Sequence, residues 1–361
     1  MEERSVAVAE RILLIVNRSA GIGHGDATVD RLRAKLAQLS GEEATTLQVE
    51  AVGDHPAARA RANRFLAASE APALILVGGG GGTLRAVIEG LCEGSEAGRL
   101  PGRERVLIGA LRMGSGNVVA RQFGIPRDPE AGLRGIIENL RAGRTVPCCV
   151  MRCEICAGGG RTEVHHAATL GGFGQLGRVP GDLARWEHRL SAAHKVAARF
   201  LGIERLTNVE YALALLIRSA SSALLGRSTA EEVEVRTRAR REVVRLLAGV
   251  AMNFPLKALP IDPGVRAEDE VISLHLVPYT GRLAALMLIL APRRLLRGAI
   301  RIRIEGPERV EIRLVDRGAA EFFLDEDPMT LHGRLTLQVA GSLAFVPGPG
   351  YRSRAGSGAP A

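Results

Sequence analysis

Residues Ala73–Leu91 read ALILVGGGGGTLRAVIEGL: an apolar run, five consecutive glycines at 78–82, then a threonine and an amphipathic segment. Ala73–Val77 offers no polar face to water, so it reads as a strand covered on both sides. Thr83 opens a helix running through Leu91. A strand, a glycine run and a helix start together suit a phosphate. Glycines let the backbone approach an anion closely, and the first helical N–H groups face its charge. A tight connecting turn, the plainer reading, needs fewer than five glycines.

Two familiar phosphate loops do not fit these residues. A P-loop ends in Gly-Lys-Ser/Thr, whereas Gly82 is followed by Thr83 and Leu84. A dinucleotide loop needs a third fixed glycine, which neither Gly78-x-Gly80-x-x-Thr83 nor Gly21-x-Gly23-x-x-Asp26 supplies. The same rhythm extends outward from the glycines. Arg11–Val16 is an apolar strand entering the glycine-rich Asn17–Gly25, and helical periodicity follows at Val29–Leu39. A strand at Thr46–Val52 precedes a helix at His55–Ala68, and Val106–Leu111 enters MGSGN (113–117) before a helix at Val118–Phe123. Apolar strands separated by helices predict a parallel sheet, with ligands at the carboxyl ends of its strands.

After residue 145 the pattern becomes alternating strands joined by turns, from Cys149–Cys156 through Leu335–Phe345, as in an antiparallel sandwich. Pro180–Leu225 interrupts it with helical character, and 348–361 reads as a disordered Gly/Ser/Pro tail. His165 and His166 share a strand and so face opposite sides.

With 361 residues and 46% hydrophobic content, the chain is long enough for two domains with proper cores. Its formal charge is +9, and only three of its 48 basic residues are lysines, which favours polyanionic partners met by arginine. Aromatics at 3% leave few rings for stacking bases, so no nucleic-acid partner is expected. The most apolar run, Leu283–Ala291, is far short of the ~20 residues of a spanning helix. The acidic N-terminus lacks the features of a signal peptide, which predicts a cytoplasmic protein. Four of the five cysteines crowd into 148–156. A strand there sends Cys153 and Cys156 to opposite faces, so reduced, partly buried thiols are expected rather than a zinc site.

LIVNRSAG (14–21), VGGGGGTLRAVIEGL (77–91) and LRMGSGNVVARQFGIP (111–126) resemble, in order and spacing, the diacylglycerol kinase catalytic-domain family. That family includes bacterial lipid kinases and sphingosine kinases, with NAD kinases as distant relatives. HHAATLGGFGQLGRV (165–179), VAMNFP (250–255) and LDEDP (324–328) are similar to its second half. The resemblance implies an α/β plus β fold: a three-layer α/β/α nucleotide-binding domain at 1–145, then a β-sandwich lipid-acceptor domain at 146–347 with a helical insertion near 180–225.

The resemblance further implies that ATP lies over Gly79, Gly80, Gly81, Gly82 and Thr83, with Gly114, Ser115 and Asn117 completing the contacts and Asn17 shaping the first loop. The reaction would be Mg²⁺-assisted phosphoryl transfer to a diacylglycerol- or sphingoid-type hydroxyl in an interdomain cleft, with Asp327 as base. Asp269 would match the acid of a structural Mg²⁺ site, although a solvated loop charge is the plainer reading. The chain departs from the pattern at several places. Gly81 replaces the aspartate that organises magnesium, and Asp327 replaces a glutamate. Arg85 and Ala86 replace Asn-Glu, Arg112 replaces Pro, and Val118 stands where many members have Asp. A member that binds lipid or nucleotide without transfer is therefore the competing reading, and a soluble-acceptor kinase of the NAD kinase type a third. Arginines at 236–241 and 293–297 suggest peripheral contact with an anionic inner membrane face, at about 1 kcal/mol per charge. A homodimer is left open.

Overall fold

The structure, a computed structural model, describes residues 9–21, 24–41, 46–93, 99–114, 116–156, 160–183, 217, 230–255, 264–281, 284, 287, 290–291, 294, 297–316, 318–325 and 327–352. The chain divides into two compact units, Met1–Cys148 with Ser342–Ala361, and Cys149–Gly341.

In the first unit, strands and helices alternate: β1 (Arg11–Asn17), α1 (Asp26–Ser40), β2 (Thr46–Val52), α2 (His55–Ala67), β3 (Ala73–Gly79), α3 (Gly81–Glu93), β4 (Val106–Arg112), α4 (Val118–Gln122) and α5 (Pro129–Arg141). The strands are parallel in the order β4-β3-β1-β2. Every residue of β1 and β3 is buried, the mark of a sheet covered on both faces. Helices α2 and α5 begin alike. Asp54 and Asp128 each accept a hydrogen bond from a backbone N–H three residues on, at 2.8 Å, with a proline in the first turn. Helices α2 and α3 pack so closely that a Cβ at Gly90 would lie 2.2 Å from the Arg59 carbonyl oxygen.

The second unit is built on β5 (Val146–Cys156), β6 (Thr162–Ala167), β7 (Leu170–Gly174), β8 (Glu231–Arg236), β9 (Arg241–Met252), β10 (Val271–Pro278), β11 (Ile300–Glu305), β12 (Arg309–Leu314), β13 (Ala319–Leu324), β14 (Asp327–His332) and β15 (Arg334–Phe345). Pairing is antiparallel, and the twelve-residue β9 serves β8 with its first half and β7 with its second, while β10 takes its other edge. All eleven strands contribute to one buried apolar cluster, including Met151, Phe173, Val235, Leu274, Phe322 and Leu337. That shared interior makes the unit a sandwich.

Three expectations need correction. The first unit runs to Cys148 rather than 145, and the chain returns to it at Ser342 rather than staying in the second domain to 347. The return is made by β15, whose Ala344 and Phe345 pair in parallel with Leu107 and Ile108 of β4. The tail does not begin at 348. Gly348 N–H donates to the Phe123 carbonyl at 2.8 Å, and the Tyr351 ring lies 5.7 Å from that of Phe123, so 348–352 is docked. Finally, Glu163–Leu170 is two strands, broken at Ala168–Thr169. Residues 353–361, Arg293 and, apart from Ile217, the insertion from 184 to 229 lie outside the described residues.

Candidate phosphate-binding site

The five glycines do not form a loop. Gly78 and Gly79 end β3, Gly81 and Gly82 open α3, and Gly80 alone joins them. None has a positive φ, so what they supply is room. A Cβ on Gly79 would sit 2.5 Å from Thr83 Oγ1. A Cβ on Gly114 would sit 2.2 Å from Gly80 Cα, so the β4 loop and the β3–α3 junction meet backbone to backbone. The first helical bond of α3 runs from Leu84 N–H to the Gly80 carbonyl at 3.1 Å. The N–H groups of Gly81, Gly82 and Thr83 precede it and have no acceptor within the helix.

Two asparagines hold this cradle. Buried Asn17, at the end of β1, donates from Nδ2 to Thr83 Oγ1 at 2.9 Å and accepts Ser19 N–H at Oδ1 at 3.0 Å. The Thr83 hydroxyl keeps its own hydrogen to donate. Asn117 adopts the left-handed conformation, φ 50°, and grips Gly114 from both sides, its Oδ1 accepting the Gly114 N–H at 2.8 Å and its Nδ2 donating to the Gly114 carbonyl at 2.6 Å. Its amide therefore shapes the loop. His24 was not singled out from sequence; its Nε2 lies 2.8 Å from the Met113 carbonyl, fastening the first loop to the β4 loop. Ser115 lies outside the described residues.

The cradle's charge is one-sided. Its residues, Asn17, Gly79–Thr83, Gly114 and Asn117, include no carboxylate. Arg112 is held below its ordinary pKa by burial first, then by the nearby charges of Arg121 and Arg127. Arg85 is tied into α3, its Nη1 bonding Glu89 at 3.0 Å, while Arg59 of α2 bonds the other oxygen of Glu89 at 3.1 Å. The departure at position 85 thus fastens two helices.

Asp327 and Asp269 both fall in the second unit. Asp327 is the half-buried first residue of β14, opposite Leu324 across the β13–β14 turn. That turn is held by Asp325, which sequence reading passed over. Asp325 is buried with φ 47°, and its carboxylate accepts the N–H groups of Ala168 and Thr169 at 2.8 and 3.0 Å and the Thr169 hydroxyl. Asn253, at the end of β9, donates to the carbonyls of Cys149 and Ala168 at 2.5 and 2.7 Å. Asp269 caps its own 3-10 turn, accepting the Arg266 N–H at 2.8 Å. Among the described residues no three His, Cys, Asp or Glu side chains gather as a metal cluster. One carboxylate oxygen of Asp269 is thus engaged in its own turn.

The remaining expectations resolve simply. His166 is buried and His165 is not, on opposite faces of β6. Cys153 and Cys156 likewise alternate across β5, none of the five cysteines is in a disulfide, and burial pushes the Cys149 thiol up to about 12. The basic hairpin is partly self-neutralised, Arg236 and Arg241 both binding Glu234 and Arg240 lying 3.7 Å from Glu242. No helix among the described residues is long and apolar enough to cross a membrane.

The chain thus belongs to the class of two-unit proteins that join a parallel α/β sheet to an antiparallel sandwich. Residues 11–153 match the model of the diacylglycerol kinase catalytic domain. Among solved structures, a candidate diacylglycerol kinase from Bacillus anthracis str. Sterne shares the fold with a TM-score of 0.64 at 17% identity, over 97% of this chain and 99% of that one. A second, described as a diacylglycerol kinase from the same strain, gives 0.57 at 16% identity over 94% and 97%. No curated protein matches the chain.

Proposed function

We propose that this chain phosphorylates the hydroxyl of a diacylglycerol- or sphingoid-type lipid with ATP as donor. The observation that carries this reading is the approach of Gly114 onto Gly80 beside the opening of α3. Glycine at positions 81 and 82 puts no side chain of its own over the first N–H groups of the helix, and the Thr83 hydroxyl stands next to them, which suits a chain of phosphates. Asn17 fixes the Thr83 rotamer, so the hydroxyl is oriented before ligand arrives. Asp327 is the carboxylate the family resemblance assigns to the acceptor's proton. Magnesium fits this cradle poorly, since position 81 carries no carboxylate to anchor it, and no step is assigned to a metal.

That same glycine favours a second reading, in which nucleotide and lipid are bound without transfer. Position 81 is the first residue of α3, where an aspartate is conformationally ordinary and favoured by the helix dipole. Transfer of label from [γ-³²P]ATP to a panel of lipid alcohols, with wild type beside Gly81→Asp, tests both readings. The kinase reading expects slow transfer by the wild type and at least a ~10-fold rise in the variant. Nucleotide binding with no transfer by either protein establishes the binding reading instead.

A further inference from the structure

Arg112 closes β4 in register with Gly79, the last residue of β3, and so stands at the carboxyl edge of the sheet beside the cradle. Its Nε is shielded from solvent and has no hydrogen-bond partner. Arg121 of α4 and Arg127, just ahead of α5, lie near enough to depress its pKa. Among the described residues none of the three joins an ion pair; Arg121 and Arg127 are exposed, but Arg112 is half-buried, where most other described arginines meet a carboxylate, as Arg85, Arg152 and Arg178 do. The acid beside them, Asp128, is engaged in capping α5. The half-buried Arg112 guanidinium faces like charge from this exposed pair, and a bound anion relieves that repulsion.

We infer that Arg112, Arg121 and Arg127 form an anion site that takes the phosphate chain of the nucleotide, supplying positive charge where position 81 offers no carboxylate to anchor a metal. The inference rests on the nucleotide reading above and adds to it the means of neutralisation. A guanidinium presents paired donors to two phosphate oxygens, and Arg112 has an unused Nε–H for one of them. Three such charges reduce the dependence of binding on a divalent cation.

Calorimetric titration with ATP, adenosine and inorganic pyrophosphate, each with Mg²⁺ and again with excess EDTA, tests this on the full chain. Wild type is expected to bind ATP within about threefold under the two conditions. Arg112→Gln is expected to lose about tenfold or more for ATP and pyrophosphate but nothing for adenosine, consistent with one charged hydrogen-bonded contact. Should Arg112→Gln unfold, the exposed pair Arg121→Gln/Arg127→Gln carries the same expectation. Tight ATP binding untouched by these substitutions, or abolished by EDTA, overturns the inference while leaving the nucleotide reading intact. Pyrophosphate binding without ATP binding, or no binding of any anion, overturns both.

Discussion

The junction at Gly80 and the turn at Asp325 are each fixed by contact with a distant segment, but by opposite means. At Gly80 side chains are missing, and backbone meets backbone at Gly114. At Asp325 a charged side chain is buried, and three donors from Ala168 and Thr169 converge on it. The first arrangement leaves polar backbone open to a ligand, and the second consumes all its polar capacity internally. A site that must release and rebind an anion needs the former. A turn that fixes where β14 begins, at Asp327, is served by the latter.

The difference predicts unequal costs of substitution. Asp325→Ala removes the acceptor for three buried donors, each worth about 1–3 kcal/mol when left unsatisfied, and puts alanine into a left-handed conformation costing about 1 kcal/mol more. A loss of roughly 3–5 kcal/mol is expected in urea unfolding. Native-state hydrogen exchange should localise it to β7, β13 and β14. Asp325→Asn keeps one acceptor oxygen and tolerates the backbone, so it should cost less than half as much. A loss below about 1 kcal/mol for Asp325→Ala would show that the turn is held by its strands alone.

These two places were also unequally legible in the sequence. Runs such as RILLIV and ALILV announce their own burial, because a strand covered on both faces can have no polar position. The parallel sheet and its glycine-bearing ends followed from them. Asp325 carried no such signal: within LDEDP the acids look alike, and what distinguishes one is a pair of N–H groups more than 150 residues away in sequence. Likewise nothing along the chain marks Arg85 and Glu89 as partners of Arg59, which α2 brings to Glu89. Long-range polar pairing has no periodicity to read, whereas burial does. The glycine run was recognised for its chemistry but misjudged in shape. Glycine's usual association with loops hid a strand running straight into a helix through a single residue.

Within the cradle the close approach itself can be broken. Gly114→Ala would place a methyl 2.2 Å from Gly80 Cα, where only backbone can yield. A loss of about 1–3 kcal/mol is expected in thermal or urea unfolding, from overpacking. ATP and pyrophosphate binding should fall below detection by calorimetry, since the junction must shift to make room. Retention of wild-type binding would place the anion elsewhere.

The smallest expected effect on stability is the sharpest test of the comparison. Gly80→Ala would set its methyl 3.6 Å from Gly114 Cα, an ordinary contact, and Gly80 has no positive φ to forbid it. Replacing a glycine under those conditions restrains the unfolded chain and stabilises by about 0.4–1 kcal/mol. The same methyl would occupy space between the β4 loop and the first N–H groups of α3, where the phosphates are proposed to lie. A rise in melting temperature together with lost ATP affinity would mean that glycine at this position serves the ligand at the expense of the fold. A variant that gained stability and bound ATP as tightly as before would show that the open space at Gly80 is not where the phosphates rest.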